Sequence, residues 1–149
     1  MRAINHALTG AFIGLTVGLP LIALPSALLS HFALDAIPHH GTGSDSQRTG
    51  AFLWLLWLDA AACGILVSVL AYSRPGHWLL AAFCAFLATA PDFMWIKQFW
   101  RAKKALPQPS KRGLLLFHKQ IQWFERPVGW VTEATWFGGF VWLLHTAWR

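Results

Sequence analysis

The order of apolar and polar positions predicts helices of membrane length joined by short polar segments. Four apolar stretches are separated by polar ones: residues 4–36, 51–72, 77–95 and 127–148. The first stretch is too long for one straight span, because it would run to about 50 Å as a helix, against a hydrocarbon core of about 30 Å. Gly18 and Pro20 are residues that end one helix and begin the next. We therefore predict a hairpin of two short helices, with a single kinked and tilted helix as the alternative.

Small residues in the first helix indicate a close helix contact. Gly10, Gly14 and Gly18 recur at four-residue spacing, which places them in one stripe along a helix. Such a stripe lets a neighbouring helix approach closely in a membrane.

The segment from Gly113 to Glu125 has a different pattern. Its apolar residues fall on one helical face and its polar residues on an adjacent one: Leu114, Phe117, Ile121 and Phe124 against His118, Gln122 and Glu125. This pattern is typical of an amphipathic helix that lies in the membrane interface. In such a helix, seven residues of separation leave His118 and Glu125 within about 20° of each other.

These patterns predict an all-α fold: a multi-pass membrane bundle of about five transmembrane helices plus one interfacial amphipathic helix. The whole chain, residues 1–149, forms a single integral membrane domain in this prediction. Its parts are a helical hairpin (3–37), a polar loop (38–50), a second hairpin (51–97), a basic loop (98–112), the amphipathic helix (113–125) and a last helix (127–148).

The composition favours a membrane protein over a soluble domain. The chain is 56% hydrophobic and only 12% charged, and it holds ten Trp and eleven Phe, whereas a soluble domain has about 25% charged residues. Cys63 and Cys84 lie inside apolar runs, so they indicate packing and neither a disulfide framework nor a Cys-x-x-Cys ligand pair.

The positive charge follows the predicted topology. Twelve Lys and Arg residues oppose six Asp and Glu, for a net charge of +6. With five spans, ten of the twelve basic residues share one side, and only Arg74 and Arg149 lie opposite. The positive-inside rule makes that side cytoplasmic, so the amino terminus is predicted inside. Basic residues in this arrangement flank a membrane, and we do not expect nucleic-acid binding.

Ionisable side chains collect on the same predicted side. His31 and Asp35 are four residues apart and share a helix face, and Pro38 then ends the helix and frees His39 to turn back. Ionisable groups in membrane segments are costly and usually mark function. A set of nitrogen and oxygen donors suits a divalent metal ion, with Zn favoured and Mn, Fe or Mg as alternatives. We predict as ligands His6, His31, Asp35, His39 and Asp92, and as proton carriers Glu125 and His118.

Each of these residues also has a structural interpretation. His6 can be an interfacial histidine, His39 and His40 can be a solvated loop pair, and Asp92 can cap a helix. Asp35 can accept hydrogen bonds at a helix end. Asp59, Glu133 and His145 receive no role from the sequence.

Three short motifs resemble a known family. Asn5-His6-x-x-x-Gly10, the run from His31 to His39, and Ala90-Pro91-Asp92 look like the small bacterial inner-membrane proteins described as metal-dependent hydrolases. The resemblance implies a bacterial inner-membrane location and candidate ligands at His6, His31, Asp35 and Asp92. Two runs seen in many members, Pro-Asp-x-Asp and His-Arg-x-x-x-His-Ser, do not occur in this sequence.

The sequence supports two functions from different classes. The first is a membrane-embedded hydrolase whose divalent ion acts on a lipid-linked or amphiphilic ester or phosphoester at the cytoplasmic interface. The second is a non-catalytic partner-binding protein, or a carrier of protons or ions, that uses the same acids and histidines. In either case the bilayer is the expected partner, and the sequence does not define an oligomeric state.

Overall fold

The computed structural model describes residues 1–40, 50–107 and 110–148, and within these ranges the fold is all-α. The α-helices are α1 (Ala3–Val17), α2 (Pro20–Asp35), α3 (Gly50–Ser73), α4 (Trp78–Thr89), α5 (Ile96–Lys103), α6 (Gly113–Ile121) and α7 (Trp130–Ala147). Two short 3-10 helices, Ala90–Trp95 and Pro127–Gly129, precede α5 and α7. Most of the polar loop predicted over residues 38–50 lies outside the described residues.

The predicted break between the first two helices is confirmed. Gly18 ends α1 in the left-handed conformation, with φ +67°, which glycine adopts without steric cost. Pro20 is the first residue of α2, where its missing N–H is no loss. The chain reverses there, so the single kinked helix is wrong.

Helix α1 packs tightly against α4 through the predicted glycine stripe. A Cβ atom at Gly10 would collide with the carbonyl of Cys84, and one at Gly14 would collide with the backbone of Ala81. The close approach buries a core of small and branched side chains, which includes Ala7, Leu8, Ala11, Leu15, Leu66, Leu70, Ala81, Ala85 and Leu144. Helices α1 and α4 therefore form the centre of the bundle.

The helices are arranged so that polar groups meet at one end of the bundle. Helices α1, α3 and α7 begin at this end, and α2 and α4 finish there. Four contacts establish the arrangement: Asp59 with Ala3, Asn5 with Glu133, His6 with Asp35, and His31 with Ala88. We call it the site end, and the opposite end, with the turns at Gly18 and at Arg74, the far end.

Two segments differ from the sequence prediction. Residues 98–103 belong to α5, where a basic loop was predicted over 98–112; apolar Ile96 and Trp100 at helical spacing, with basic residues between them, allow an amphipathic helix there. Helix α6 ends at Ile121, four residues before the predicted end. The next residues turn back to contact the segment at His39.

Two helical stretches are long and apolar enough to cross a membrane, Leu53–Ser73 and Trp78–Lys103. Helices α1 and α2 are shorter apolar helices. Large apolar side chains stand exposed around the bundle, among them Leu21, Trp54, Trp57, Ile65 and Trp142. Such a surface is unlike that of most soluble monomers and fits contact with lipid.

Candidate metal centre

Four side chains from three elements converge at the site end. They are His31 and Asp35 of α2, Asp92 of the 3-10 helix after α4, and His118 of α6. Each offers one donor atom, and the four atoms all lie within 4.8 Å of one another. We call these residues the His/Asp cluster, and its geometry could hold a metal ion.

Three donor atoms of the His/Asp cluster are spaced like ligands around one ion. His118 Nε2 lies 2.7 Å from Asp35 Oδ2, His31 Nε2 lies 2.9 Å from His118 Nε2, and His31 Nε2 lies 3.3 Å from Asp35 Oδ2. Ligands at about 2.0–2.1 Å from a tetrahedral zinc are about 3.3 Å apart, and in an octahedral site about 3.0 Å apart. The three edges therefore need only small adjustments to accept a metal.

Asp92 is the exposed member of the cluster. Its Oδ1 lies 3.8 Å from His31 Nε2 and 4.0 Å from His118 Nε2. Its side chain is 30% exposed, whereas those of His31, Asp35 and His118 are fully buried. The cluster is therefore closed on the side of α2 and reached from the side of Asp92.

The hydrogen bonds around His31 define the nitrogen that faces the cluster. Its Nδ1–H donates to the carbonyl of Ala88 over 2.7 Å. This bond leaves the Nε2 lone pair of a neutral imidazole available to a metal, as an outer-shell carbonyl commonly does in metal sites. The Nε2 atom therefore faces the cluster with a lone pair that can bind either a metal ion or the proton of a neighbouring donor such as His118 Nε2–H.

Aromatic rings enclose the two cluster histidines. The His31 ring stacks on His6, with 4.1 Å between centroids. The His118 ring lies 5.7 Å from Phe32 and 5.6 Å from Trp95. Gln122, one turn after His118, donates from Nε2 to Asp35 Oδ2 over 3.1 Å. These neighbours restrict the rotation of both imidazoles and so preform the cluster.

His6 lies beside the cluster and not within it. Its Nε2 is 3.2 Å from Asp35 Oδ1, the carboxylate oxygen that faces away from His31 and His118. The amino group of Met1 lies 2.6 Å from the same oxygen. The His6 side chain is fully buried, and neither ring nitrogen has a hydrogen-bond partner with good geometry among the described residues. The predicted ligand role of His6 stays a prediction.

His39, also predicted as a ligand, is placed in a backbone contact. Its Nδ1–H donates to the carbonyl of Ile37 over 2.9 Å. Its own carbonyl accepts the N–H of Arg126 over 3.0 Å, and a Cβ at Gly129 would collide with this same backbone. His39 thus joins the end of α2 to the segment between α6 and α7, and it is not a member of the four-residue cluster.

Glu125, predicted as a proton carrier, is exposed and lies beyond the end of α6. The seven-residue alignment with His118 does not apply, because the helix ends between them. The backbone of Glu125 pairs with that of His39. The proton-carrier roles of Glu125 and His118 stay predictions, although His118 Nε2 lies where a ligand atom would lie.

The structure also gives partners to two acids that had no predicted role. Asp59 of α3 accepts the N–H groups of Ala3 and Ile4 over 2.8 and 2.9 Å, and so caps the start of α1. Glu133 of α7 accepts the N–H of His40 over 3.0 Å. Both acids are distant in sequence from their partners, so no local pattern could have identified the contacts.

Comparisons of the chain with protein-family models, with curated proteins and with solved structures gave no match.

Proposed function

We propose that the chain is a membrane-embedded, metal-dependent hydrolase that acts on a lipid-linked or amphiphilic ester or phosphoester at the cytoplasmic interface. The observation that carries this proposal is the His/Asp cluster, whose four donor atoms come from three elements and lie within 4.8 Å of one another. Buried ionisable groups at the end of an apolar bundle are costly to retain without a function. The resemblance of three motifs to bacterial metal-dependent hydrolases supports the same function.

The four cluster residues hold the ion in this proposal. Two imidazoles and two carboxylates favour zinc, and Mn, Fe or Mg suit the same donors. A bound divalent ion would polarise an ester or phosphoester oxygen and lower the pKa of a water molecule. His118 is then a ligand, and it cannot carry protons through the same Nε2. Asp92 lies on the side from which a substrate reaches the cluster.

The membrane arrangement is part of the proposal. Helices α1, α2, α3, α7 and the stretch containing α4 would be the five spans, with the amino terminus in the cytoplasm of a bacterial inner membrane. The helix directions support it, because the starts and finishes alternate between the two ends of the bundle. Reporter fusions after Gly43 and after Arg149 should report cytoplasm and exterior respectively; two reports from the same side would contradict the five spans.

Metal analysis of the purified protein tests the function most directly. We expect about one equivalent of divalent metal per chain in detergent. Asp35→Asn should remove most of it, because the substitution keeps the volume but not the charge. Asp59→Asn is the matched control, since Asp59 binds backbone N–H groups outside the cluster.

A screen for hydrolysis follows only on the metal-loaded protein. Lipid-linked esters and phosphoesters should be cleaved by the parent chain and not by Asp35→Asn. A parent protein that holds no metal would exclude the hydrolase and favour a proton or ion carrier, in which a proton joins His31, Asp35 and His118. Metal without cleavage would favour a non-catalytic binding protein.

A further inference from the structure

The segment from Lys97 to Lys119 carries positive charge without compensation along the chain. It holds seven basic residues and no Asp or Glu: Lys97, Arg101, Lys103, Lys104, Lys111, Arg112 and Lys119. Most of α5 and α6 lies in this segment: α5 follows the 3-10 helix that carries Asp92, and α6 carries His118. A surface of one charge sign attracts partners of the opposite sign.

One of these cations stands at the open side of the cluster. The Lys111 ammonium lies 4.7 Å from the centroid of the Trp95 ring. Asp92 and Trp95 are three residues apart in a 3-10 helix, where residues at this spacing lie on the same face. The Trp95 ring also contacts His118, with 5.6 Å between centroids. A single aromatic ring therefore separates the Lys111 ammonium from a cluster histidine.

Lys111 and Lys119 have no acidic partner. Within residues 1–40, 50–107 and 110–148, no carboxylate oxygen lies within 4.0 Å of either ammonium. Burial and the nearby charge of Lys119 lower the pKa of Lys111. Two neighbouring cations without a counter-ion form a favourable place for an anion.

The elements next to these lysines in the chain carry exposed apolar side chains. They belong to the 3-10 helix, α5 and α6, and they are 47–61% exposed: Phe93, Ile96, Trp100, Leu114 and Phe117. A soluble anion would gain nothing from these side chains. A lipid would gain from them, because its acyl chains bury apolar surface while its headgroup meets the cations.

We infer that Lys111 and Lys119 bind the phosphate headgroup of an anionic lipid at the open side of the His/Asp cluster. The inference rests on the proposed function, because it names the substrate class of the same site. Phosphoesters are thereby preferred over neutral esters as substrates, because only a phosphoester brings a negatively charged group to pair with the two ammonium groups. The lysines bind and orient the headgroup beside Asp92, and they are not ligands of the metal.

Binding of a fluorescent short-chain phosphatidic acid to the full chain in detergent tests the inference. Lys111→Gln and Lys119→Gln should each weaken binding about tenfold, the usual worth of one charge-assisted hydrogen bond. Lys111→Arg should restore most of the loss. Arg74→Gln is the matched control, because Arg74 lies in a turn at the far end and should leave binding within twofold. Phosphatidylcholine and glycerol 3-phosphate should bind much more weakly than phosphatidic acid.

The same variants separate this inference from the metal-dependent function. Lys111→Gln and Lys119→Gln should keep the metal content of the parent, whereas Asp35→Asn should lose metal and still bind the lipid in a lysine-dependent way. Lipid binding that is unchanged in both lysine variants would overturn the inference, as would glycerol 3-phosphate binding as tightly as the lipid. Lysine-dependent lipid binding in a parent without metal would support the headgroup site while excluding the hydrolase.

Discussion

Ionisable residues are buried at one end of the helix bundle and exposed at the other. At the site end, His6, His31, Asp35 and His118 are fully buried and contact one another across elements. At the far end, Arg74 and His145 are exposed, and the Arg74 side chain donates to the carbonyl of Ala71, three residues earlier. Burial of charge is costly. Because the described part of the bundle buries acids and histidines only at the site end, we infer that these residues have a function.

The largest effect is expected from disrupting the close contact between α1 and α4. Gly14→Val should lower the free energy of unfolding by about 3 kcal/mol or more, because the new side chain meets the backbone of α4 and overpacked cores are destabilised. Gly138→Val is the control, since a Cβ there has open space. Thermal unfolding in detergent measures both. Equal unfolding midpoints for Gly14→Val and Gly138→Val would show that α1 and α4 are not closely packed. The contact that positions Asp92, after the end of α4, would then be absent.

A histidine from each end gives the sharpest test of the comparison. His118→Gln should weaken metal affinity roughly 100-fold, because it removes a nitrogen donor from the cluster. His145→Gln makes the same change on an exposed residue of α7 at the far end and should leave the affinity unchanged. A competition titration against a chelator of known affinity distinguishes the two. Equal affinities would exclude His118 as a ligand and return it to its predicted role as a proton carrier.

A smaller effect is expected at the contact between Glu133 and His40 at the site end. Glu133 accepts the backbone N–H of His40 over 3.0 Å, and its other oxygen lies 3.7 Å from Arg2 Nε. Glu133→Gln should lower the free energy of unfolding by about 1–2 kcal/mol, since Gln still accepts the N–H of His40 but forms a neutral hydrogen bond, which is weaker by about that much than one to a carboxylate. Glu125→Gln makes the same change on an exposed acid and is the stability control. A Glu133→Gln protein as stable as the parent would show that this contact does not hold α7 to the loop.

Local patterns predicted much of the fold and part of the site. The α1–α2 break follows from Gly18 and Pro20, and the glycine stripe indicated a close helix contact on α1, because both patterns depend on residues near each other in the chain. His31 and Asp35 were found for the same reason. That α4 makes the contact with the glycine stripe was not predicted. Membership of His118 in the cluster was not predicted, since its contact with Asp35 joins residues 83 apart in the chain. Its signal was present as a polar residue on an amphipathic face, but packing decides which partner such a residue meets.

The smallest effect is expected for Glu125, an acid that lies outside the His/Asp cluster. A proton carrier must lie within hydrogen-bond reach of the reacting group, directly or through one water molecule, and such a group contributes about 10²- to 10⁴-fold to the rate. Glu125 is exposed, lies four residues after the end of α6 and is not a member of the His/Asp cluster. We expect Glu125→Gln to retain its metal and to lose less than about threefold in turnover on a phosphoester that the parent cleaves. A loss of about 100-fold with metal retained would give Glu125 the role that the helical pattern predicted. It would also show that the segment between α6 and α7 moves toward the cluster when substrate binds, and the site end would then be only partly preformed.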